Sequence, residues 1–297
     1  MRGPEGVSYV LIVNPVSGGG RTLQILPAVE KAFDLRRMVM RVERTRSLQH
    51  GIDLALNAVD GGEVPVLLSG DGLIGAIGGA MAGGDVPLGI IPGGRGNDLA
   101  RGLGIPADPD LAVEAVAAGH TVHIDVGEAN GERFLGIASV GFDSDANRIA
   151  NASRLNGRLV YAWAAFKALA GWKSQRFSLN EAGVQTRFTG YTVAVANNGF
   201  YGAGMNLAPD ADPSDGQLDV ITIGDVNRLR FLLYLPRVFR GSHVNGKEVK
   251  AWRTTGIEIR ASRPMTVYAD SDPLTELPAR VRILPGALPV LVPGGGA

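Results

Sequence analysis

From Val7 to about Val122 short apolar runs alternate with longer helical patterns: Tyr9–Val13 then Leu23–Phe33, Val64–Leu68 then Leu73–Met81, Leu88–Ile91 then Asp98–Leu103. Glycine or proline stands at each joint. A parallel strand cannot be reached by a tight turn, so this alternation is the pattern of a parallel sheet with crossover helices. An α/β domain over residues 1–122 is expected. Its strand ends carry the turns Ser17-Gly18-Gly19-Gly20, Ser69-Gly70-Asp71-Gly72 and Gly93-Gly94-Arg95-Gly96. In open α/β sheets those carboxyl ends line the ligand crevice.

Beyond His123 the texture becomes a two-residue alternation, in Tyr191–Val195, Leu218–Ile223, Gly256–Ile259, Met265–Tyr268 and Ala279–Ile283. That spacing suits antiparallel strands with one wet face, so a β-sandwich or other β-rich domain is expected over 123–297. The extreme C-terminus is left free to return to the first domain. Two helical segments interrupt the strands, Gly157–Trp172 and Arg228–Arg240, and the tail Pro293–Ala297 reads as flexible.

A chain of 297 residues suffices for two domains with sizeable cores. Lys+Arg and Asp+Glu both number 29, so no global field steers it toward nucleic acid or an anionic surface, and no nucleic-acid partner is expected. Without cysteine there is no disulfide, thiolate nucleophile or cysteine zinc site. The apolar run Val10–Val13 is cut off by Asn14-Pro15, too soon for a signal-peptide core. Leu159–Trp172 contains Lys167 and is shorter than the ~20 residues needed to cross a bilayer. The expected location is cytoplasmic, with any membrane contact peripheral and at the inner surface.

The segment Leu67–Gly72 brings a strand into a Gly-Asp-Gly turn that offers backbone N–H groups and one carboxylate. Such a turn can hold phosphates and the accompanying magnesium, which points to phosphoryl transfer; it is also an ordinary hairpin turn. Gly96-Asn97-Asp98 opens a helix, where Asn97 or Asp98 serves as a cap or, beside the other loops, Asn97 as a nucleotide contact. Asp215-Gly216 reads as a turn before the strand Leu218–Ile223. Arg228–Arg240 mixes Leu229, Phe231, Leu233 and Phe239 with arginines, a helix for a membrane surface or one packed on the core, with Pro236 against its continuity. The four histidines lack metal-ligand spacing.

Several motifs in order, Val13–Gly20, Gly70-Asp71-Gly72, Leu88–Pro92 with Gly96–Arg101, Ser139–Asp143, Ala196-Asn197-Asn198, Gly204-Met205, Ala208-Pro209 with Asp215–Leu218, and Tyr268–Asp270, resemble the bacterial diacylglycerol kinase and sphingosine kinase family of lipid kinases, which shares its first-domain architecture with NAD kinases. The resemblance implies an N-terminal three-layer α/β nucleotide-binding domain, a C-terminal β-sandwich-like lipid domain and an active site in the cleft between them. It implies ATP and Mg2+ as cofactors and γ-phosphoryl transfer to a lipid hydroxyl, that of diacylglycerol in the simplest case. Carried over residue by residue, Asn14, Ser17, Gly70, Asp71, Gly72, Arg95, Gly96 and Asn97 bind the nucleotide. Asp71, Asp215 and Asp272 serve the metal, and Asp71 and Asp270 the chemistry. Asp270 is the general base, in a family Asp-Gly-Glu motif that here reads Asp270-Ser271-Asp272. Side chains two apart on a strand share a face, so Asp270 and Asp272 would meet one site if the extended geometry persists. A lipid substrate, a transient membrane contact and a homodimer are the partners considered.

The chain departs from the family pattern at Leu73, where threonine is usual, at Ala76, where glutamate is common, and at Arg95, where threonine is expected. Ser271 and Asp272 replace Gly and Glu. Two alternatives therefore stand beside the lipid kinase: an NAD kinase-like enzyme, and a catalytically impaired nucleotide- or lipid-binding homologue.

Overall fold

The computed structural model describes residues 6–142, 172–202, 204–270 and 272–294. The chain divides into two compact units, one of residues 1–126 with 286–297, the other of residues 127–285.

The first unit begins with β1 (Ser8–Val13), α1 (Arg21–Leu35), β2 (Val39–Arg44), α2 (Leu48–Asp60), β3 (Val64–Ser69), α3 (Asp71–Met81), β4 (Gly89–Pro92), α4 (Asp98–Gly102) and α5 (Pro109–Ala118). The strands form a parallel sheet in the order β2-β1-β3-β4, with Leu11 opposite Val42 on one side and Val66 on the other. Helices α1 and α5 pack together, as do α2 and α3. Central β1 and β3 are buried on both faces, which is why they read as unbroken apolar runs. Edge strand β2 is guarded by charge, Arg41 pairing with Glu43 at 2.9 Å and Glu63 at 2.8 Å. The C-terminal segment returns to this unit beside β4. Leu88 N donates to Pro289 O, and Leu291 N donates to Leu88 O, both at 2.9 Å.

Strand β2 and helices α2 and α5 are absent from the sequence pattern set out above, yet their starts are chemically marked. Ser47 Oγ accepts from His50 N at 3.1 Å at the head of α2. Asp108 caps α5 through Asp110 N and Leu111 N, Pro109 takes the first turn, and Gly119 closes the helix at φ 66°. Arg36 then ties α1 to α5 by a two-pronged pair to Asp110 at 2.7 and 3.2 Å.

The remaining elements are β5 (Thr121–Ala129), β6 (Glu132–Phe134), β7 (Ile137–Gly141), β8 (Gln175–Glu181), β9 (Val184–Ala196), β10 (Phe200–Tyr201), β11 (Met205–Asn206), β12 (Leu218–Gly224), α6 (Arg228–Val238), β13 (Val249–Thr254), β14 (Gly256–Ala261), β15 (Thr266–Ala269), β16 (Asp272–Glu276) and β17 (Ala279–Leu291). The division between units falls inside β5 and inside β17. The large sheet runs β16-β15-β7-β9-β8-β14-β17-β5-β6, and β12 pairs with both β9 and β13.

The expectation of one wet face fails for the centre of this unit. Strand β7, the second half of β9 and most of β12 are buried on both sides. Val193 and Val195 face one core while Ala194 and Ala196 face a second, so strands that alternate in sequence are enclosed by apolar packing above and below. Strand β9 changes partners at Gly190, from β8 to β7 and β12. A Cβ there would lie 2.3 Å from Ile223 O, so only glycine permits the crossing.

Helix α6 buries Phe231, Tyr234 and Val238 in the second core, while Leu233 and, just beyond its end, Phe239 are exposed. It is thus a core-packed helix, and it contains Pro236 in its last turn. Of the expected helix Gly157–Trp172 only Trp172 lies within the described residues, buried against Phe142 and Tyr191.

His243 is fully buried in this unit, its Nε2 donating to Leu207 O at 3.0 Å, and desolvation holds its pKa below the ordinary 6.5. The unfolded chain therefore takes up the proton first as pH falls. Stability should decline as pH drops below 6.5 toward the depressed folded value, by up to about 1.4 kcal/mol per pH unit. Urea midpoints at pH 7.5 and 5.5 should separate for the native chain more than for His243→Leu; equal separations would refute the buried neutral imidazole.

Candidate active site

Three turns at the carboxyl ends of β1, β3 and β4 meet backbone to backbone. After β1, Asn14 N donates to Leu68 O at 3.1 Å, and Asn14 Oδ1 accepts from Val16 N at 3.2 Å. Thr22 Oγ1 donates to Asn14 O at 2.5 Å, fastening the loop to the first turn of α1. The run Gly18–Gly20 holds φ of 61°, 71° and 92°, a tight left-handed path rather than a loose connection. A Cβ on Gly18 would come within 2.5 Å of Gly93 O, and one on Gly93 within 2.4 Å of Thr22 Cγ2. On Gly70 it would lie 2.9 Å from Ser17 Oγ, and on Gly94 2.5 Å from Gly70 Cα. Ser17, Gly70 and the Gly93-Gly94 turn thus form one cluster with no room for side chains between them.

Asn97 does not cap α4. It sits at φ 53°, with Oδ1 accepting from Gly94 N at 2.7 Å and Nδ2 donating to Gly94 O at 3.2 Å, and so closes its own loop. The cap comes from Asp71, whose Oδ1 accepts from Leu99 N at 3.2 Å. Burial raises the Asp71 carboxyl above its ordinary value, opposed by the N–H groups of Leu99, Asp98 and Asn97. Asp71 is therefore the electrostatic link between the second and third turns. Gly72 follows it in the first turn of α3, half-buried like Gly96. Arg95 is exposed and makes no hydrogen bond or ion pair among the described residues. Ser69 Oγ, at the end of β3, is buried without a partner among those residues, a group that sequence reading passed over.

Leu73 is buried, 2.8 Å from where a Cβ on Gly51 would stand. Its side chain belongs to the α2–α3 packing, which accounts for an apolar residue at that position.

In the second unit Asp270 stands between β15 and β16 at φ 49°. Its Oδ2 accepts from Leu135 N and its Oδ1 from Gly136 N, both at 2.9 Å. A Cβ on Gly136 would lie 2.3 Å from Asp270 Oδ1. Buried Asn197 braces the same dipeptide, donating Nδ2 to Leu135 O at 3.0 Å and N to Gly136 O at 2.9 Å. Gly136 and Asn197 are given no site role in the sequence reading, although Asn197 stands in the motif Ala196-Asn197-Asn198.

The extended geometry expected for Asp270 to Asp272 does not persist. Ala269 is paired with Asp272 across the β15–β16 ladder, so the chain reverses between them and the two carboxylates are not neighbours on one strand face. Asp272 is exposed. Asp215 forms the expected turn, its Oδ1 accepting from Gln217 N at 2.9 Å with Gly216 at φ 74°, and its Oδ2 lies 3.4 Å from the Arg253 guanidinium. Arg253 also faces Asp219 at 3.6 Å, whose carboxyl burial pushes up. Among the described residues of either unit, no three acidic or histidine side chains cluster to hold a metal ion. What the first unit offers is three close-packed glycine turns at the carboxyl ends of parallel strands, the place where open α/β sheets take their ligands. What the second offers is a carboxylate in fixed orientation.

Comparison with known proteins shows the family and the fold. Residues 8–129 match the diacylglycerol kinase catalytic domain, and residues 136–292 the YegS C-terminal NAD kinase beta sandwich-like domain. A diacylglycerol kinase of Mycobacterium tuberculosis is 36% identical over 251 residues, covering 82% of this chain and 81% of that protein. A Pseudomonas fluorescens protein named "Probable lipid kinase YegS-like" is 30% identical over 75% of each. The crystal structure of a diacylglycerol kinase from Bacillus anthracis superposes with a TM-score of 0.75 at 21% identity, covering 98% of both chains, a likeness of fold.

Gly94→Ala should cost about 1–3 kcal/mol, because the added carbon meets Gly70 backbone that cannot move aside. Gly19→Ala, where nothing lies within 4 Å, should cost only the left-handed penalty of about 1–2 kcal/mol. Urea denaturation of both variants tests the contact; a Gly94→Ala protein as stable as the native one would show that the turns do not abut.

Proposed function

The chain belongs to the diacylglycerol kinase family of lipid kinases, and on that premise we propose that it transfers the γ-phosphoryl group of ATP to the free hydroxyl of diacylglycerol. The observation that carries this reading is the pair of backbone-held devices: the glycine cluster Ser17, Gly70, Gly93-Gly94 in one unit and the clamped Asp270 in the other.

The residues fit a nucleotide's phosphates. Glycines at three converging strand ends leave the backbone bare of side chains, Ser69 Oγ at the end of β3 is buried without a partner among the described residues, and Arg95 on the third turn is exposed and unpaired among them. In this reading Asn14, Ser17, Gly70, Gly72, Gly96 and Asn97 shape and line the nucleotide site. The carboxylates are the hard oxygen donors that Mg2+ takes, one or two at a time beside substrate phosphates. Asp71, tied to the head of α4, would serve such an ion through water, and Asp215 and Asp272 are the candidates from the second unit. When bound, the ion neutralises phosphate charge.

Asp270 receives the proton of the lipid hydroxyl. Two N–H donors fix the plane of its carboxylate, so the base needs no reorientation before the proton moves. On α6 the exposed Leu233 and adjoining Phe239 stand among exposed Arg237 and Arg240, a patch for transient contact with an anionic lipid surface. Among the described residues no helix is long and apolar enough to cross a membrane. A second reading, nucleotide and lipid binding without transfer, has one observation in its favour: Leu73 is committed to packing and offers no hydroxyl to phosphate.

Incubation with labelled ATP, Mg2+ and a lipid panel should place label in diacylglycerol. Asp270→Asn should lower kcat by about 10²–10⁴-fold with nucleotide binding retained. Arg95→Thr should raise KM for ATP more than it lowers kcat. Retained ATP binding with no transfer to any acceptor would establish the second reading instead.

A further inference from the structure

The second unit contains a groove of about 490 Å³, bordered by β8, β9, β12 and β13, and none of the residues assigned above lines it. Its floor is apolar. Leu179, Phe188 and Trp252 form it, and Val184, 69% exposed, stands at its rim. Phe188 stacks on Phe177 with centroids 5.4 Å apart, and the Trp252 indole is locked by donating Nε1 to Glu181 Oε2 at 3.0 Å. Lys250 and Trp252, two apart on β13, face the same way.

Three acids and three bases line the groove, but their commitments differ. Glu181 holds Trp252, Asp225 accepts from Ser174 Oγ at 2.5 Å, and Glu248 is paired with Arg230 and Tyr234, both at 2.6 Å. Arg187 donates to Gln185 Oε1 at 2.9 Å. Apart from the through-space attraction of Lys247 for Glu248, neither Lys247 nor Lys250 makes a hydrogen bond or ion pair among the described residues. The donors to Glu181 and Asp225 are neutral, so both keep their charge; with Glu248 offset by Arg230, three bases face two acids, and the excess is positive on the side of Lys247 and Lys250, beside an aromatic floor. A bare anion would leave that floor wet, and a neutral amphiphile would leave the lysines unmatched.

We propose that this groove binds a single-chain anionic amphiphile, its apolar body against Leu179, Phe188 and Trp252 and its carboxylate or phosphate between Lys247 and Lys250. The volume suits a ligand of that size. The proposal stands independently of the phosphoryl-transfer reading.

Trp252 reports on its own site. Decanoate and decyl phosphate, used below their micelle concentrations, should each change tryptophan emission saturably, and Trp252→Phe should abolish the change. The double variant Lys247→Gln/Lys250→Gln should bind both at least tenfold more weakly with an unchanged melting temperature. Octyl glucoside, inorganic phosphate and phosphatidylglycerol vesicles should leave the emission unaltered, separating a monomeric amphiphile from a detergent, a free anion and a bilayer. Equal response to octyl glucoside or to vesicles, undiminished affinity in the double variant, or no saturable change would overturn the assignment.

Discussion

Everything in the candidate site of the first unit depends on peptide backbone touching peptide backbone where three turns converge. Parallel pairing of β1, β3 and β4 brings their carboxyl ends level, and the absence of Cβ at Gly18, Gly70, Gly93 and Gly94 lets the turns close on one another. Such packing turns N–H groups into a cluster with little conformational freedom. The glycines give up more chain entropy on folding than any other residue would, a cost that the parallel sheet and its buried strands must offset. A carboxylate then crosses the gap: Asp71 loses hydration but gains the N–H groups at the head of α4. Desolvation outweighs those bonds, so the group is held in place at some expense to its ionised form.

The second unit repeats the device with different parts. Asp270 reaches back to the dipeptide Leu135-Gly136, more than a hundred residues earlier, and both its oxygens accept main-chain N–H groups. Asn197 fixes the same dipeptide from the other side through its own amide and main chain. In each unit, then, a candidate carboxylate accepts main-chain N–H groups from a loop remote in sequence. Main-chain donors cannot rotate away as lysine or arginine can, so orientation is set by the fold itself.

How much of this is legible in the sequence differs between fold and site. Unbroken apolar runs ending in glycine reveal β1, β3 and β4 because those strands are buried on both faces. Strand β2, an edge with mixed exposure, carries no comparable run, although Ser47 and Asp108-Pro109 mark the helices that follow it. In the second unit alternation identifies strands but misjudges their surroundings, because a strand between two cores alternates between two apolar environments rather than between oil and water. The turn at Asp270 escapes because nothing in the letters Asp-Ser-Asp separates an extended strand from a reversal; the cross-strand pairing of Ala269 with Asp272 decides it. The capping of α4 is not legible locally, since the carboxylate that accepts from Leu99 N comes from 28 residues upstream.

The departures from the family pattern acquire a physical sense once their surroundings are known. Leu73 faces α2 and fills space that only Gly51 leaves open, so a hydroxyl there would be buried against methyl groups at a cost of roughly 1–3 kcal/mol if unpaired. Restoring threonine at 73 alone would therefore open a packing defect before it restored a phosphate contact. Arg95 lies outside that packing, on the third turn, exposed and uncommitted. In the proposed reading a charge-assisted bond from its guanidinium, about twice as strong as a neutral one, stands in for the missing hydroxyl. In that reading the two departures belong together: Leu73 serves the α2–α3 packing, and Arg95 takes the polar duty on a neighbouring loop.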